Sequence, residues 1–99
     1  MKKAIITGAT GFIGQRLVGA IDSNIRVLSR EKQPDYETIV CDLQSEVIPD
    51  NTLDGVGTVF HLAGFAHDLR DTAKIQKLYQ KVNVDATIKL AELAVKSNV

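Results

Sequence analysis

The chain has a single cysteine, Cys41, which excludes an internal disulfide and any metal site built from several thiolates. A lone cysteine of this kind reads as small apolar filler in a core, and it suits a reducing compartment. Charge of one sign is missing too. Twelve basic and twelve acidic residues cancel to a formal net charge of +0, and they form no long run of like charge. Neither nucleic acid nor an anionic membrane is therefore indicated as a partner. Long apolar runs are also absent. Lys2 and Lys3 followed by Ala4, Ile5 and Ile6 resemble a signal start, but the run stops at Thr7 and Gly8, too soon for export or for spanning a bilayer. The cytoplasm is the expected location.

What is present is 99 residues, 44% of them apolar, enough for one compact domain with a core but not for two. Residues 3–7 form a short apolar run closed by Gly8, and an amphipathic helical pattern follows through Phe12, Ile13, Leu17, Val18 and Ile21. This spacing predicts a strand and then a helix. After the turn cluster at Asp22, Ser23 and Asn24, residues 25–29 predict a second strand, stopped by Arg30, Glu31 and Lys32. Pro34 keeps the next segment from being helical, residues 37–41 predict a third strand, and residues 57–62 a fourth. Between them Pro49, Asp50, Asn51 and Gly55 mark a loop. From about Asp71 the residues Ile75, Leu78, Val82, Ala86, Leu90 and Leu93 recur at three- and four-residue steps, one continuous stripe on a helix of about 25 residues. The lysines at 74, 77, 81, 89 and 96 form its solvated face. Strands this uniformly apolar, alternating with helices, indicate an α/β fold: a Rossmann-type parallel sheet of order 3-2-1-4 with helices on both faces.

The segment from Thr7 through Gly8, Ala9, Thr10, Gly11, Phe12 and Ile13 to Gly14 carries the chemistry. Here the chain leaves a strand, turns sharply and enters a helix. Gly8 permits the turn, Gly11 removes a side chain where a diphosphate would approach, and Gly14 allows close packing of helix on sheet. The first helical turn then offers unpaired N–H groups and the positive end of its dipole to phosphate. The second strand ends in Ser29 and Arg30, where an NAD-binding protein of this fold usually has a carboxylate for both ribose hydroxyls. A hydroxyl beside a guanidinium suits a 2′-phosphate. NADP(H) is therefore the preferred cofactor and NAD(H) the alternative, because a shift of one residue would bring Glu31 to the ribose.

This segment resembles the TGxxGxxG motif of the extended short-chain dehydrogenase/reductase superfamily, the NAD-dependent epimerase/dehydratase family. Cys41-Asp42-Leu43 is similar to that family's strand-end Asp-Leu, which implies that Asp42 accepts from the adenine amino group and Leu43 packs on the ring. Val59 to Gly64 resembles its fourth strand and cofactor-side loop, which adds Leu62, Ala63 and Gly64 to the cofactor-binding candidates. Val82, Asn83, Val84 and Thr87 are similar to its long helix. The nearest resemblance is to bacterial UDP-sugar 4-epimerases and 4-keto reductases. It implies a nucleotide-linked sugar as substrate and hydride transfer at its C4.

Each position also has a plainer role: Asp42 as a loop cap, His61 as a satisfied strand-end histidine, His67 as a solvated loop residue, and Asn83 as a tie between helix and sheet. The family's catalytic Tyr-x-x-x-Lys is not found. Val40 stands four residues after Tyr36, and Asn83 four after Tyr79. Residues 1–99 therefore read as the amino-terminal part of a dinucleotide-binding domain, ending before a fifth strand, with no catalytic residue of its own and no metal. Such a piece is expected to bind cofactor weakly, to be inactive on substrate, and to self-associate through the open edge of its fourth strand. Two other readings compete. A non-catalytic NADP-sensing protein would keep the glycine turn, whereas a methyltransferase is disfavoured by Ser29 and Arg30 where its ribose carboxylate belongs.

Overall fold

The computed structural model describes residues 2–21, 24–64 and 73–99. Strand β1 (Lys3–Thr7) leads through a tight turn into helix α1 (Phe12–Ala20), followed by β2 (Ile25–Ser29), β3 (Glu37–Val40) and β4 (Val56–His61). A helical rod closes the chain: α2 (Ala73–Tyr79), a π-helical stretch at Gln80–Asp85, and α3 (Ala86–Lys96). All strands are parallel, in the order β3-β2-β1-β4, which is the expected Rossmann-type arrangement. The fourth strand starts one residue earlier than the apolar run implied. The register steps from Lys3 opposite Val56 to Ala4 opposite Thr58, so Gly57 is bulged out of the pairing.

Alternation along the strands sends neighbouring side chains to opposite faces. Ile5 and Leu28 pack with Val82, Ala86, Leu90 and Leu93 of the rod, and with Cys41, Leu43, Ile48 and Leu53 from the loops. Ile6 and Val27 point the other way, onto Val18 of α1 with Leu17 and Ile21 beside it. Both faces of β1 and β2 are thereby covered, which is why Ala4, Ile5 and Ile6 of β1 and Ile25, Val27 and Leu28 of β2 are apolar whichever face they take. α3 has 11 residues and would be marginal alone; the buried stripe holds it in place.

The rod departs from the regular helix expected. Its apolar positions include three successive four-residue steps, from Leu78 to Val82, Ala86 and Leu90. At 3.6 residues per turn each such step carries the stripe about 40° around the axis. A π turn rotates less per residue and brings the stripe back, so that Val82, Ala86 and Leu90 all face the sheet.

At the amino ends of the strands, away from the turn, Arg26 is nearly buried. Its Nη1 donates to Thr52 O at 2.7 Å and Asp54 O at 2.8 Å, while Nε pairs with the Glu37 carboxylate, which Lys3 also meets. This one guanidinium ties the loop before β4 to β2 and β3. Hydrogen bonds from Lys3 and then Arg26 hold the Glu37 carboxyl below its ordinary value. Its contribution to stability is therefore present above the ordinary glutamate range and is lost as pH falls through the lowered value. Replacing Arg26→Ala strands the buried Thr52 carbonyl and leaves Glu37 with Lys3 alone, and the expected loss is about 2–4 kcal/mol of unfolding free energy. Urea denaturation checks this, and a loss under about 1 kcal/mol would show that the loop is held by its apolar residues alone.

Candidate functional site

The carboxyl ends of the four strands surround a cavity of about 310 Å³. Gly8, Ala9, Thr10 and Gly11 form one wall. Leu28, Ser29 and Arg30 come from the end of β2, Cys41, Asp42, Leu43 and Gln44 from the end of β3, and Leu62, Ala63 and Gly64 from the end of β4, with Val82 from the π turn. The candidates Gly8, Thr10, Gly11, Ser29, Arg30, Asp42, Leu43, Leu62, Ala63 and Gly64 are thus brought together. Phe12, Ile13 and Gly14 do not line the cavity. The side chains of Phe12 and Ile13 point outward, 75% and 65% exposed. Sequence reasoning missed Ala9, Leu28, Gln44 and Val82 as wall residues, and it read Cys41 only as filler. Burial, with Glu46 and Asp42 nearby, pushes the Cys41 thiol up, so it acts as wall rather than nucleophile.

The turn is built by backbone crowding. Gly8 has φ +71°, and a Cβ there would stand 2.7 Å from Ala63 N and 2.8 Å from Leu62 C. A Cβ on Gly14 would lie 2.0 Å from Gly8 O and 2.8 Å from Ala9 Cα. Gly14 therefore admits the helix against the turn itself, a correction to the expected packing on the sheet. A Cβ on Gly11, by contrast, would approach only Gly8 O, at 3.3 Å. Gly11 is the N-cap of α1, provides no side-chain cap, and the first turn holds no acidic residue. Gln15 Nε2 donates to Thr10 O at 2.8 Å and steadies the turn from the helix side. Among the described residues no acceptor takes the N–H groups of Phe12, Ile13 and Gly14; Gly14 is buried, while Phe12 and Ile13 lie at the exposed start of the helix, where a helix offers unpaired N–H groups to anions.

Asp42 serves its own loop: Oδ1 accepts from Gln44 N at 2.9 Å, and its own N–H donates to Glu46 Oε1 at 2.8 Å. The residue also lines the cavity, so its capping role does not take it away from the site. Ser29 Oγ accepts from Glu31 N and Gln33 Nε2, both at 3.4 Å. Glu31 does not line the cavity.

His61, at the end of β4, bonds through both ring nitrogens. Nδ1 lies 2.7 Å from Thr7 Oγ1 and Nε2 lies 3.0 Å from Thr87 Oγ1. Burial pushes its pKa down. Asn83 places Oδ1 3.5 Å from where a Cβ on Gly64 would be, so the π turn and the β4 loop lie side by side. His67 lies outside the described residues. Among those described, no group of three His, Cys, Asp or Glu side chains could hold a metal ion, and no helix is long and apolar enough to cross a membrane.

Residues 4–99 match the model of the NAD dependent epimerase/dehydratase family. Over 92% of its length the chain is 35% identical to an NAD-dependent glucose-6-phosphate dehydrogenase of Haloferax volcanii, covering 37% of that protein. Among solved structures it superposes on MoeE5 in complex with UDP-glucose and NAD with a TM-score of 0.79 and 32% identity, covering 98% of this chain and 33% of that one. It superposes on the UDP-N-acetylglucosamine 4-epimerase of Bacillus cereus with a TM-score of 0.76 and 28% identity, covering 100% and 34%. The chain thus spans about a third of the length of each of these relatives.

The contrast between two glycines is open to measurement. Gly14→Ala is expected to destabilise the fold by at least about 2 kcal/mol, because backbone rather than a flexible side chain must move. Gly11→Ala is expected to cost no more than about 1 kcal/mol. Equal losses in urea unfolding would show that the crowding at Gly14 is relieved elsewhere.

Proposed function

The chain belongs to the NAD dependent epimerase/dehydratase family, and on that footing we propose that it is the NAD(P)-binding part of a nucleotide-sugar epimerase or reductase of the extended short-chain dehydrogenase type. One observation carries the reading. The uncapped start of α1, with its free N–H groups, adjoins a cavity at the one turn glycine, Gly11, whose missing side chain leaves room for a ligand. A diphosphate fits there by charge and by space. From the turn the cavity runs to Ser29 and Arg30 and on to Asp42 and Leu43, the order in which phosphate, ribose and adenine follow one another. At about 310 Å³ it is small for a ligand site, and it suits the adenosine diphosphate half rather than the whole dinucleotide.

The residues of this chain bind and orient: main-chain amides of α1 hold the diphosphate, and Leu62 to Gly64 close the side towards the nicotinamide. When bound, the dinucleotide supplies reversible hydride acceptance. The sugar substrate is carried over from the relatives, one solved with UDP-glucose and another named as a UDP-N-acetylglucosamine 4-epimerase. Residues 1–99 hold no Tyr-x-x-x-Lys pair, so they are expected to show no turnover of a UDP-sugar, and steady oxidation or reduction would overturn that. Among the described residues β4 pairs only with β1 in the sheet, and association of copies along its other edge is part of the same reading. A monomer in sedimentation at high concentration would remove it.

NADP(H) is the cofactor we favour. Strand β2 runs through Ser29, Arg30 lines the cavity while Glu31 does not, and no carboxylate among the described residues pairs with Arg30. NAD(H) is the alternative; NAD is present in the MoeE5 complex and appears in the name of the Haloferax volcanii enzyme. Titration of NADPH and NADH, followed by fluorescence, tests the whole reading, with NADPH expected to bind more tightly. Arg30→Ala should weaken NADPH binding more than about tenfold, the scale of a lost charge-assisted pair, and leave NADH nearly unchanged. Equal losses for both would remove Arg30 from this role, and binding of neither cofactor would sink the function.

A further inference from the structure

The hydrogen bonds around His61 have a direction that their partners fix. Thr87 has one hydroxyl proton, and the carbonyl oxygen of Asn83, 2.9 Å away, can only accept it. The Thr87 oxygen must therefore accept from His61 Nε2. A neutral imidazole protonated at Nε2 has a bare Nδ1, which accepts the hydroxyl proton of Thr7. The Thr7 oxygen in turn accepts the main-chain N–H of Ala63 at 3.1 Å. One tautomer satisfies every group in the series, and the series ends on the peptide that lies against Gly8. The wall of the cavity and the phosphate turn are thus set by the same contacts.

A proton on Nδ1 reverses one link. Two donors, Nδ1–H and Ala63 N–H, would then face the single Thr7 oxygen, and the Thr7 hydroxyl proton would lose its acceptor. Charged neighbours do not mask this. The downward shift of His61 has burial as its cause. On the rod, Lys81 and Asp85 line a separate cleft with Leu43 and Glu46, and Lys89, which borders it, pairs with Asp50. On β1, Lys3 meets Glu37 at the far end of the strand. β4 itself, Val56–His61, contains no ionisable residue besides His61.

We propose that His61 is a positioning residue: as the Nε2–H tautomer it clamps the Leu62–Gly64 wall through Thr7, and uptake of a proton at Nδ1 releases the wall and weakens binding of the diphosphate half of the cofactor. The proposal rests on the dinucleotide reading above. Its sign is distinctive. A cation approaching a diphosphate would by itself strengthen binding in acid, whereas release of the wall weakens it.

The test is calorimetric titration of ADP-ribose, which lacks both the 2′-phosphate and the acid-labile reduced ring, into the 99-residue protein, with circular dichroism confirming the fold at each pH. Affinity should be full above the ordinary histidine value and fall at least about fivefold between about pH 7.5 and pH 5.0. His61→Gln offers an acceptor and a donor but takes up no proton, and it should flatten the profile whatever its affinity at neutral pH. Independently, the imidazole ¹⁵N shifts of the unaltered protein near neutral pH should report Nε2 protonated and Nδ1 bare. Affinity that is constant or rises in acid, an Nδ1–H tautomer, or a His61→Gln profile as steep as the original would each overturn the clamp while leaving the cofactor reading intact. ADP-ribose bound at neither pH would remove both.

Discussion

Around Gly8 three lengths of main chain come closer together than any side chain would allow. The turn takes a positive φ there, the first turn of α1 enters over the Gly8 carbonyl, and the Leu62–Ala63 peptide lies against its α-carbon. Two glycines, Gly8 and Gly14, remove the atoms that would collide. The consequence is mechanical as well as steric. With β1, α1 and the end of β4 in backbone contact, the amides of the helix start are held by main-chain packing rather than by flexible side chains, the preorganisation that the proposed diphosphate site calls for. The cavity exists because the strands end beside this point, each contributing its last residues and the loop that follows.

Much of this was legible from the residues. Ile5, Ile6, Val27 and Leu28 are apolar on both faces because helices cover both, and that doubly apolar pattern separates a buried parallel sheet from a half-solvated one. The glycine spacing was equally direct, since a strand, a glycine-interrupted turn and an amphipathic helix in succession leave few alternatives. The cavity residues at the ends of β2, β3 and β4 follow once the strands are placed in order, because parallel strands bring all their carboxyl ends to one side.

What stayed hidden depends on distance through space. Arg26 sits in an apolar strand, and only the return of residues 52–54 beneath it explains a buried guanidinium. The π turn could have been suspected from three four-residue steps in a row, a drift that a regular helix cannot absorb, but helical periodicity is normally scored without regard to its phase. Gln44 and Val82 reach the cavity from a loop and from that turn, so neither lies in a motif. Gly14 was assigned close packing correctly and the wrong partner, because the spacing states how near the backbone comes and not what it meets.

His61 shows where the two kinds of knowledge meet. Its position at the end of a strand was evident, and either a functional or a merely satisfied imidazole was consistent with the sequence. The structure shows a satisfied imidazole, and the clamp proposed above uses those same bonds. Each nitrogen of this half-buried histidine has a partner: Thr7 on β1 and Thr87 on the rod, and Thr7 passes the series on to Ala63 in the β4 loop. Thr87 bonds back to Asn83 O within the π turn, so the wider helical turn that keeps the apolar stripe on the sheet also carries the residue that fixes the tautomer. A regular helix would have rotated Thr87 relative to Val82. The irregularity in the rod and the order of the cavity wall are therefore one geometric fact, seen from the core and from the site.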